Sequence, residues 1–239
     1  MKEAGTAFQR TPIRPLSALS EAAALLSGCY WLFLGITLVG VIIGSAAPFG
    51  ILMGPMMCGI YRCYLGRMRG ETIRFAMLFD GFEHFVESLI VSVIVAGVML
   101  VLIVPTYVLL FLGIGLGVGL TGDGRSGSGL GVAVALLMVA VFVLILAVAM
   151  VVAACTIFAY PLIVDRGLKG LDALKTSIRA TWANLPGIVG LMILIAVIGF
   201  AGAMCCYVPA LLLMPLTMGA LAVAYRRVFP ESLPVGEGS

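Results

Sequence analysis

Basic residues in this chain are confined to four short segments, which alternate with long stretches that carry almost none. Arg125 is the only one of the 14 Lys and Arg residues that lies elsewhere. The four segments contain Lys2, Arg10 and Arg14; Arg62, Arg67, Arg69 and Arg74; Arg166, Lys169, Lys175 and Arg179; and Arg226 and Arg227. Short cytoplasmic loops of membrane proteins collect Lys and Arg, whereas translocated loops do not. The pattern therefore predicts six membrane-spanning helices with both termini in the cytoplasm.

The composition agrees with a lipid environment and argues against a nucleic-acid partner. Hydrophobic residues make up 62% of the chain and charged residues 10%, far from the averages for soluble domains. The net charge of +3 is small, and it is divided among loops and not gathered in one groove, as nucleic-acid binding requires. The first twenty residues lack the pattern of a secretory signal peptide, so we expect the first span to act as the targeting signal.

The spans follow from charge-free length, because about 20 helical residues cross the hydrocarbon layer. An all-α integral membrane fold is predicted, as one domain over 1–239, with spans near 30–48, 49–66, 88–112, 132–160, 187–204 and 208–227. Two charge-free runs are longer than one span needs. Long tilted helices explain this excess, and so does a re-entrant segment around 105–119.

The second predicted span is only weakly apolar, and it contains Pro55 and several glycines. Such a helix gains little from lipid and is stable only when it packs among its neighbours. Gly50 and Gly54 are four residues apart, a spacing that permits close backbone approach. Gly40 and Gly44 repeat that spacing in the first span.

An internal repeat links the two ends of the chain. The motif Pro-x-x-x-Gly occurs at Pro55 and Gly59 and again at Pro215 and Gly219, each time before an aromatic and basic helix end. The predicted unit is an amphipathic helix followed by a hairpin of two spans. Paired helix breaks in two halves point to a transport site, but duplication alone would also produce them, and tight packing is the preferred interpretation.

Three amphipathic segments are predicted to form interface helices, at about 15–27, 72–87 and 167–183. Phe75, Phe79, Phe82 and Phe85 share one flank of the second segment, and a row of apolar residues marks the third: Leu168, Leu171, Leu174, Ile178 and Trp182. Helices of this kind lie in the membrane plane with their apolar side toward the acyl chains.

Basic residues beside these segments are candidates for contact with anionic lipid headgroups, which contributes about 1 kcal/mol for each Lys or Arg. They are Arg62, Arg67, Arg69, Arg74, Lys169, Lys175, Arg179, Arg226 and Arg227. The alternative is that they only set the orientation and anchor the chain.

Residues 50–227 resemble a known group of proteins through several short motifs. These are Gly54-Pro55 with Gly59 and Tyr61; Arg69-Gly70-Glu71 with Leu78-Phe79-Asp80-Gly81-Phe82; and Pro161-Leu162-Ile163-Val164-Asp165 with Ala173-Leu174, Ser177 and Trp182. The group is a diffuse set of uncharacterised bacterial integral membrane proteins. It includes YciC-like proteins and the membrane domain joined to some glycerophosphodiester phosphodiesterases. The resemblance implies a six-helix, multi-pass domain of the bacterial inner membrane, without the phosphodiesterase chemistry.

No constellation in the sequence indicates catalysis, a cofactor or a metal. Charged residues are missing from the interior of the predicted spans, which disfavours ion-coupled transport. His84 has Asp80 and Glu87 at helical spacing, a pattern that could share a metal, although a solvated interface histidine is the preferred interpretation. The six cysteines form no C-x-x-C motif.

Three classes of function remain. The first is a non-enzymatic membrane protein that organises lipid, anionic lipid in particular, or binds a membrane-protein partner or a second copy of itself. The second is a carrier or pore for a neutral or amphipathic solute, without ion coupling. A membrane enzyme ranks third, because no nucleophile and base pair is visible.

Overall fold

The computed structural model describes residues 8–11, 13–47, 50–121, 127–205 and 208–230, and within them all regular secondary structure is helical, without a β-strand. Lys2, Arg125 and Cys206 lie outside the described residues, as does 122–126 of the predicted external loop. The described α-helices are α1 Pro15–Leu26, α2 Tyr30–Ala46, α3 Met53–Met68, α4 Phe85–Thr121, α5 Gly127–Thr156, α6 Ala159–Arg166, α7 Gly170–Ala183, α8 Leu185–Met204 and α9 Val208–Val228. A 3₁₀ helix, Phe75–His84, precedes α4. The predicted all-α class is confirmed.

Four stretches among the described helices are long and apolar enough to cross a membrane. They are Phe75–Gly113, Ala135–Arg166, Leu185–Met204 and Val208–Val228. A fifth span is counted if α1 and α2, which are bent by 107° to each other, form one broken span. The predicted span at 49–66 corresponds to α3, which is only 16 residues long and is not among these stretches. The structure thus shows four or five candidate spans where six were predicted.

The chain divides into two compact units. The second unit, Ile94–Ala153, consists of the adjoining parts of α4 and α5. Many of its described apolar side chains are exposed, for example Leu100, Phe111 and Phe142 at 62%, 73% and 61%. α4 is a continuous helix of 37 residues with Pro105 inside it, about 55 Å long at about 1.5 Å per residue. The segment around 105–119 is therefore helical.

The core of the first unit is built around α3. Its large side chains, among them Met56, Ile60, Tyr61 and Tyr64, are fully buried. The glycines permit this packing because a Cβ atom on Gly54 would lie 2.7 Å from the carbonyl oxygen of Ser88. The helix that gains least from lipid is thus the one most enclosed by protein.

The aromatic segment predicted as a helix over 72–87 forms a 3₁₀ helix that runs directly into α4. Close packing against α3 accounts for the tighter geometry. A Cβ atom on Gly59 would lie 1.8 Å from the carbonyl oxygen of Leu78, and one on Gly81 would lie 2.1 Å from that of Pro55. Leu78 and Gly81 are buried in this contact, whereas Phe79 and Phe82 are exposed.

Candidate functional site

Basic residues from two of the four segments pair with one carboxylate near the end of α6. Asp165 pairs with Arg69, Nη2 to Oδ1 at 2.5 Å, and with Arg226 at 3.2 Å. The hydroxyl of Tyr225 donates a hydrogen bond of 2.8 Å to Oδ2 of Asp165. The Asp165 side chain is only 9% exposed, so this carboxylate is enclosed by its partners.

Two further ion-pair groups extend this charged end of the first unit. Glu71 pairs with Arg62 at 3.3 Å and with Arg69 at 3.5 Å. Arg227 pairs with Glu21 of α1 at 2.5 Å, which ties the N-terminal segment to the end of α9. These contacts bring Arg62, Arg69, Arg226 and Arg227 to one end of the first unit.

Five of the nine predicted headgroup residues are therefore engaged with protein. Arg62, Arg69, Arg226 and Arg227 form the ion pairs above, and Arg67 donates to the carbonyl oxygen of Leu25 at 3.3 Å. Arg74, Lys169, Lys175 and Arg179 form no ion pair with any other residue that the structure describes. Among the nine, those four side chains are the ones that no described acidic residue or backbone carbonyl engages.

Two of those four residues, Lys175 and Arg179, lie in α7, and this helix has three distinct sides. Small residues are buried against the rest of the unit: Gly170, Ala173, Thr176, Ser177, Ala180 and Thr181. Hydroxyls fix this side, since Ser177 donates to the carbonyl oxygen of Cys155 at 2.7 Å and Thr181 to that of Ala154 at 2.9 Å. At its N-terminus, the Gly170 N–H donates to the Glu87 carboxylate at 2.6 Å.

The other two sides of α7 face away from the protein. Leu171 and Trp182 are 52% and 63% exposed, and Leu174 and Ile178 are partly exposed on the same side. Asp172, Lys175 and Arg179 follow at helical spacing on the third side, and all three are exposed. Sequence periodicity separated apolar from charged residues here, but it assigned no role to the small residues.

A polar cleft of about 370 Å³ opens beside the 3₁₀ helix, lined by Arg62, Asp80, Gly81, Glu83, His84 and Val164. His84 therefore shares a cavity with Asp80, as its spacing allowed. Glu87 does not line this cleft, because its carboxylate accepts a hydrogen bond from the Gly170 N–H at the start of α7. Within the described part of the chain, no three His, Cys, Asp or Glu side chains are close enough together to hold a metal ion.

The two repeated prolines occupy different positions in their helices. Pro55 lies in the first turn of α3, where its missing N–H leaves no intrahelical bond unmade. Pro215 lies inside α9, and hydroxyls of neighbouring helices bond the carbonyls around it. Tyr64 donates to the carbonyl oxygen of Pro215 at 2.7 Å, and Tyr30 donates to that of Leu212.

The glycines of the repeat are both packing positions. Gly59 abuts the 3₁₀ helix as described above, and a Cβ atom on Gly219 would lie 3.1 Å from that of Ala22 in α1. In this structure the Pro-x-x-x-Gly motifs therefore support helix contacts.

An apolar groove of about 280 Å³ in the second unit was not predicted from the sequence. It lies between α4 and α5 and is lined by Ile103, Thr106, Tyr107, Met138, Val141, Phe142 and Ile145. Asp165 was also missed as a central residue. Its one visible signal is that it is an acidic residue at the end of a long apolar run, next to Arg166.

Comparison with models of known protein families, with curated proteins and with solved structures found no match to this chain. The resemblance to YciC-like proteins thus stays a prediction. Over the described residues, the regular structure is all helical, with four apolar helices of membrane-spanning length or five if the bent pair α1 and α2 is counted as one span.

Proposed function

We propose that this protein is a multi-pass, non-enzymatic membrane protein that organises anionic lipid at the cytoplasmic face of the bacterial inner membrane. The observation that supports this best is the three-sided α7. Its side of small residues packs against the helical bundle. The exposed side with Leu171 and Trp182 suits the acyl chains, and the charged side with Lys175 and Arg179 suits the headgroup layer.

Lys175 and Arg179 would supply the preference for anionic over neutral lipid. Lys175 and Arg179 have no acidic partner among the described residues, and Trp is favoured at the membrane interface, as Trp182 would be there. At about 1 kcal/mol for each charge near an anionic surface, the pair would contribute about 2 kcal/mol. That corresponds to a factor of roughly 30 in affinity for anionic over neutral lipid.

The test is lipid binding by the full chain in mild detergent, with phosphatidylglycerol compared with phosphatidylcholine of the same acyl chains. The variant Lys175→Gln/Arg179→Gln should lose most of the preference for phosphatidylglycerol and most of its dependence on salt. Asp172→Asn, on the same side of α7, is the matched control and should keep both. Equal preference in the wild type and the double variant would contradict the proposal.

The membrane arrangement belongs to the same proposal. Six spans with both termini cytoplasmic require that α2 and α3 each cross the membrane, with α3 shielded by its neighbours. The order amphipathic helix, hairpin, in α1 to α3 and again in α7 to α9 supports the duplicated unit. The exposed apolar surface of the second unit is available to lipid, to a membrane-protein partner or to a second copy.

A second candidate is a carrier for a neutral or amphipathic, lipid-like solute without ion coupling. The apolar groove of the second unit favours it, because its lining suits an acyl chain. Pro55→Ala and Pro215→Ala test it when both are measured for membrane abundance and for the phenotype of a deletion strain. The packing interpretation expects little change in either, whereas loss of function at normal abundance in both would favour the carrier.

A further inference from the structure

The 3₁₀ helix Phe75–His84 has three lines of side chains, because residues three apart are eclipsed in this geometry. Leu78 and Gly81 form the line buried against α3, and Phe79 and Phe82 form an exposed aromatic line. The third line is acidic and consists of Asp80 and Glu83, which both border the polar cleft. The cleft thus lies next to the aromatic line on the same short helix.

The cleft combines unpaired negative charge with a guanidinium. The side chains of Asp80, Glu83 and His84 form no ion pair or hydrogen bond with other described residues. Arg62 uses Nη1 to pair with Glu71 at 3.3 Å, and a guanidinium has five N–H donors, so others stay available. The volume of about 370 Å³ lies within the roughly 300–1,000 Å³ typical of small-molecule sites.

We propose that this cleft binds a phosphoethanolamine group, as found in the headgroup of an aminophospholipid. The primary ammonium would donate hydrogen bonds to Asp80 and Glu83, while Arg62 and His84 would face the phosphate. A charge pair of this kind explains why both signs line one cleft. A simple anion would meet two carboxylates, and a choline ammonium has no N–H to donate.

The exposed aromatic line beside the cleft fits a lipid source of the ligand. Phe79 is 45% and Phe82 38% exposed, and rings on an interface helix lie at the boundary between headgroups and acyl chains. A phospholipid headgroup bound in the cleft would then lie at the depth of the headgroup layer of the membrane. This step rests on the proposed membrane placement of the 3₁₀ helix, whereas the charge pattern of the cleft does not.

The experiment measures binding of phosphatidylethanolamine and phosphatidylcholine with identical acyl chains to the full protein in mild detergent. We expect about tenfold tighter binding of phosphatidylethanolamine, since charge-assisted hydrogen bonds to the ammonium distinguish the two. Asp80→Asn/Glu83→Gln should abolish the difference, and Asp172→Asn, an exposed carboxylate of α7, should keep it. Equal binding of the two lipids by the wild type, or an undiminished difference in the double variant, would overturn the proposal.

Free phosphoethanolamine separates the two sources of the ligand. Competition with the lipid at similar concentrations supports a soluble phosphoamine, and a much weaker effect supports the lipid headgroup. Phosphatidylglycerol binding is recorded in parallel, because its dependence on Lys175 and Arg179 tests the proposed function separately. Asp80→Asn/Glu83→Gln should leave that dependence unchanged.

Discussion

Asp165 shows how a single carboxylate can hold distant parts of this chain together. Its partners Arg69 and Arg226 are 96 and 61 residues away in the sequence. With its side chain 9% exposed, it has exchanged water for two guanidinium groups and the Tyr225 hydroxyl. Removing one member of such a group leaves the others with unsatisfied charge.

Asp165→Asn should therefore destabilise the protein. The amide keeps the size of the side chain but loses the charge that attracts Arg69 and Arg226, at a cost of about 1.5–3 kcal/mol for charge-assisted hydrogen bonds. Thermal unfolding in detergent measures the effect. Asp172→Asn is the control because Asp172 is exposed, and equal midpoints for the two variants would show that the cluster contributes nothing.

The grouping of the basic residues into four segments could be read from the sequence, but their ion-pair partners could not be predicted from it. Charge alternation predicts that Arg62, Arg69 and Arg226 lie on one side of the membrane. It does not show which of them a carboxylate neutralises, because that depends on helix ends brought together by packing. The assignment of all nine as headgroup contacts therefore included five that the structure engages with protein.

At the scale of elements, the 3₁₀ helix depends on two glycines that allow backbones to touch. Gly59→Ala should prevent the contact, since the added Cβ would lie 1.8 Å from the Leu78 carbonyl oxygen and 2.8 Å from its carbon. Backbone cannot move aside cheaply, so we expect a clear loss of membrane abundance and a lower unfolding midpoint. Phe79 and Phe82 should then be more accessible to protease.

Gly97→Ala is the matched control for that prediction. Gly97 is also helical, yet nothing lies within 4 Å of the position of its Cβ atom. Alanine there should be neutral or should stabilise by up to about 1 kcal/mol through helix propensity. If both alanine variants behaved alike, the close contact of the 3₁₀ helix with α3 would be refuted.

Sequence periodicity predicted the bounds of the amphipathic helices better than it predicted their helix type or their buried sides. α1 and α7 begin and end within three residues of the predicted 15–27 and 167–183. The aromatic segment has 3.0 residues per turn instead of 3.6, because contact with α3 and not local propensity decides its geometry. The small residues of α7, such as Ala173 and Ser177, gave no apolar signal although they form its buried side.

At the scale of the whole molecule, the sequence located the uniformly apolar helices better than it located α3. The predicted span 88–112 lies within α4, the predicted span 132–160 covers most of α5 and the start of α6, and many described apolar side chains of the second unit are exposed. α3 differs because its stability comes from enclosure by protein. No hydropathy window can register that, since the neighbours come from distant segments.

The last prediction concerns the orientation of the whole chain. Ion pairs bring Arg69, Asp165, Arg226 and Arg227 to one end of the first unit. If that end is cytoplasmic, single cysteines at Phe75 and Lys169 should both resist an impermeant thiol reagent in intact cells. A cysteine at Ser126, in the predicted external loop outside the described residues, should react.

The parent for this labelling lacks the native cysteines, of which Cys58 and Cys63 are fully buried, so its abundance must first match the wild type. Reaction of all three positions after cell lysis is the positive control. Labelling at 75 but not at 126 in intact cells would reverse the proposed topology, while opposite outcomes at 75 and 169 would contradict the common side that the ion pairs imply. Protection of both with reaction at 126 would place α7 and the polar cleft at the cytoplasmic leaflet, where both lipid proposals require them.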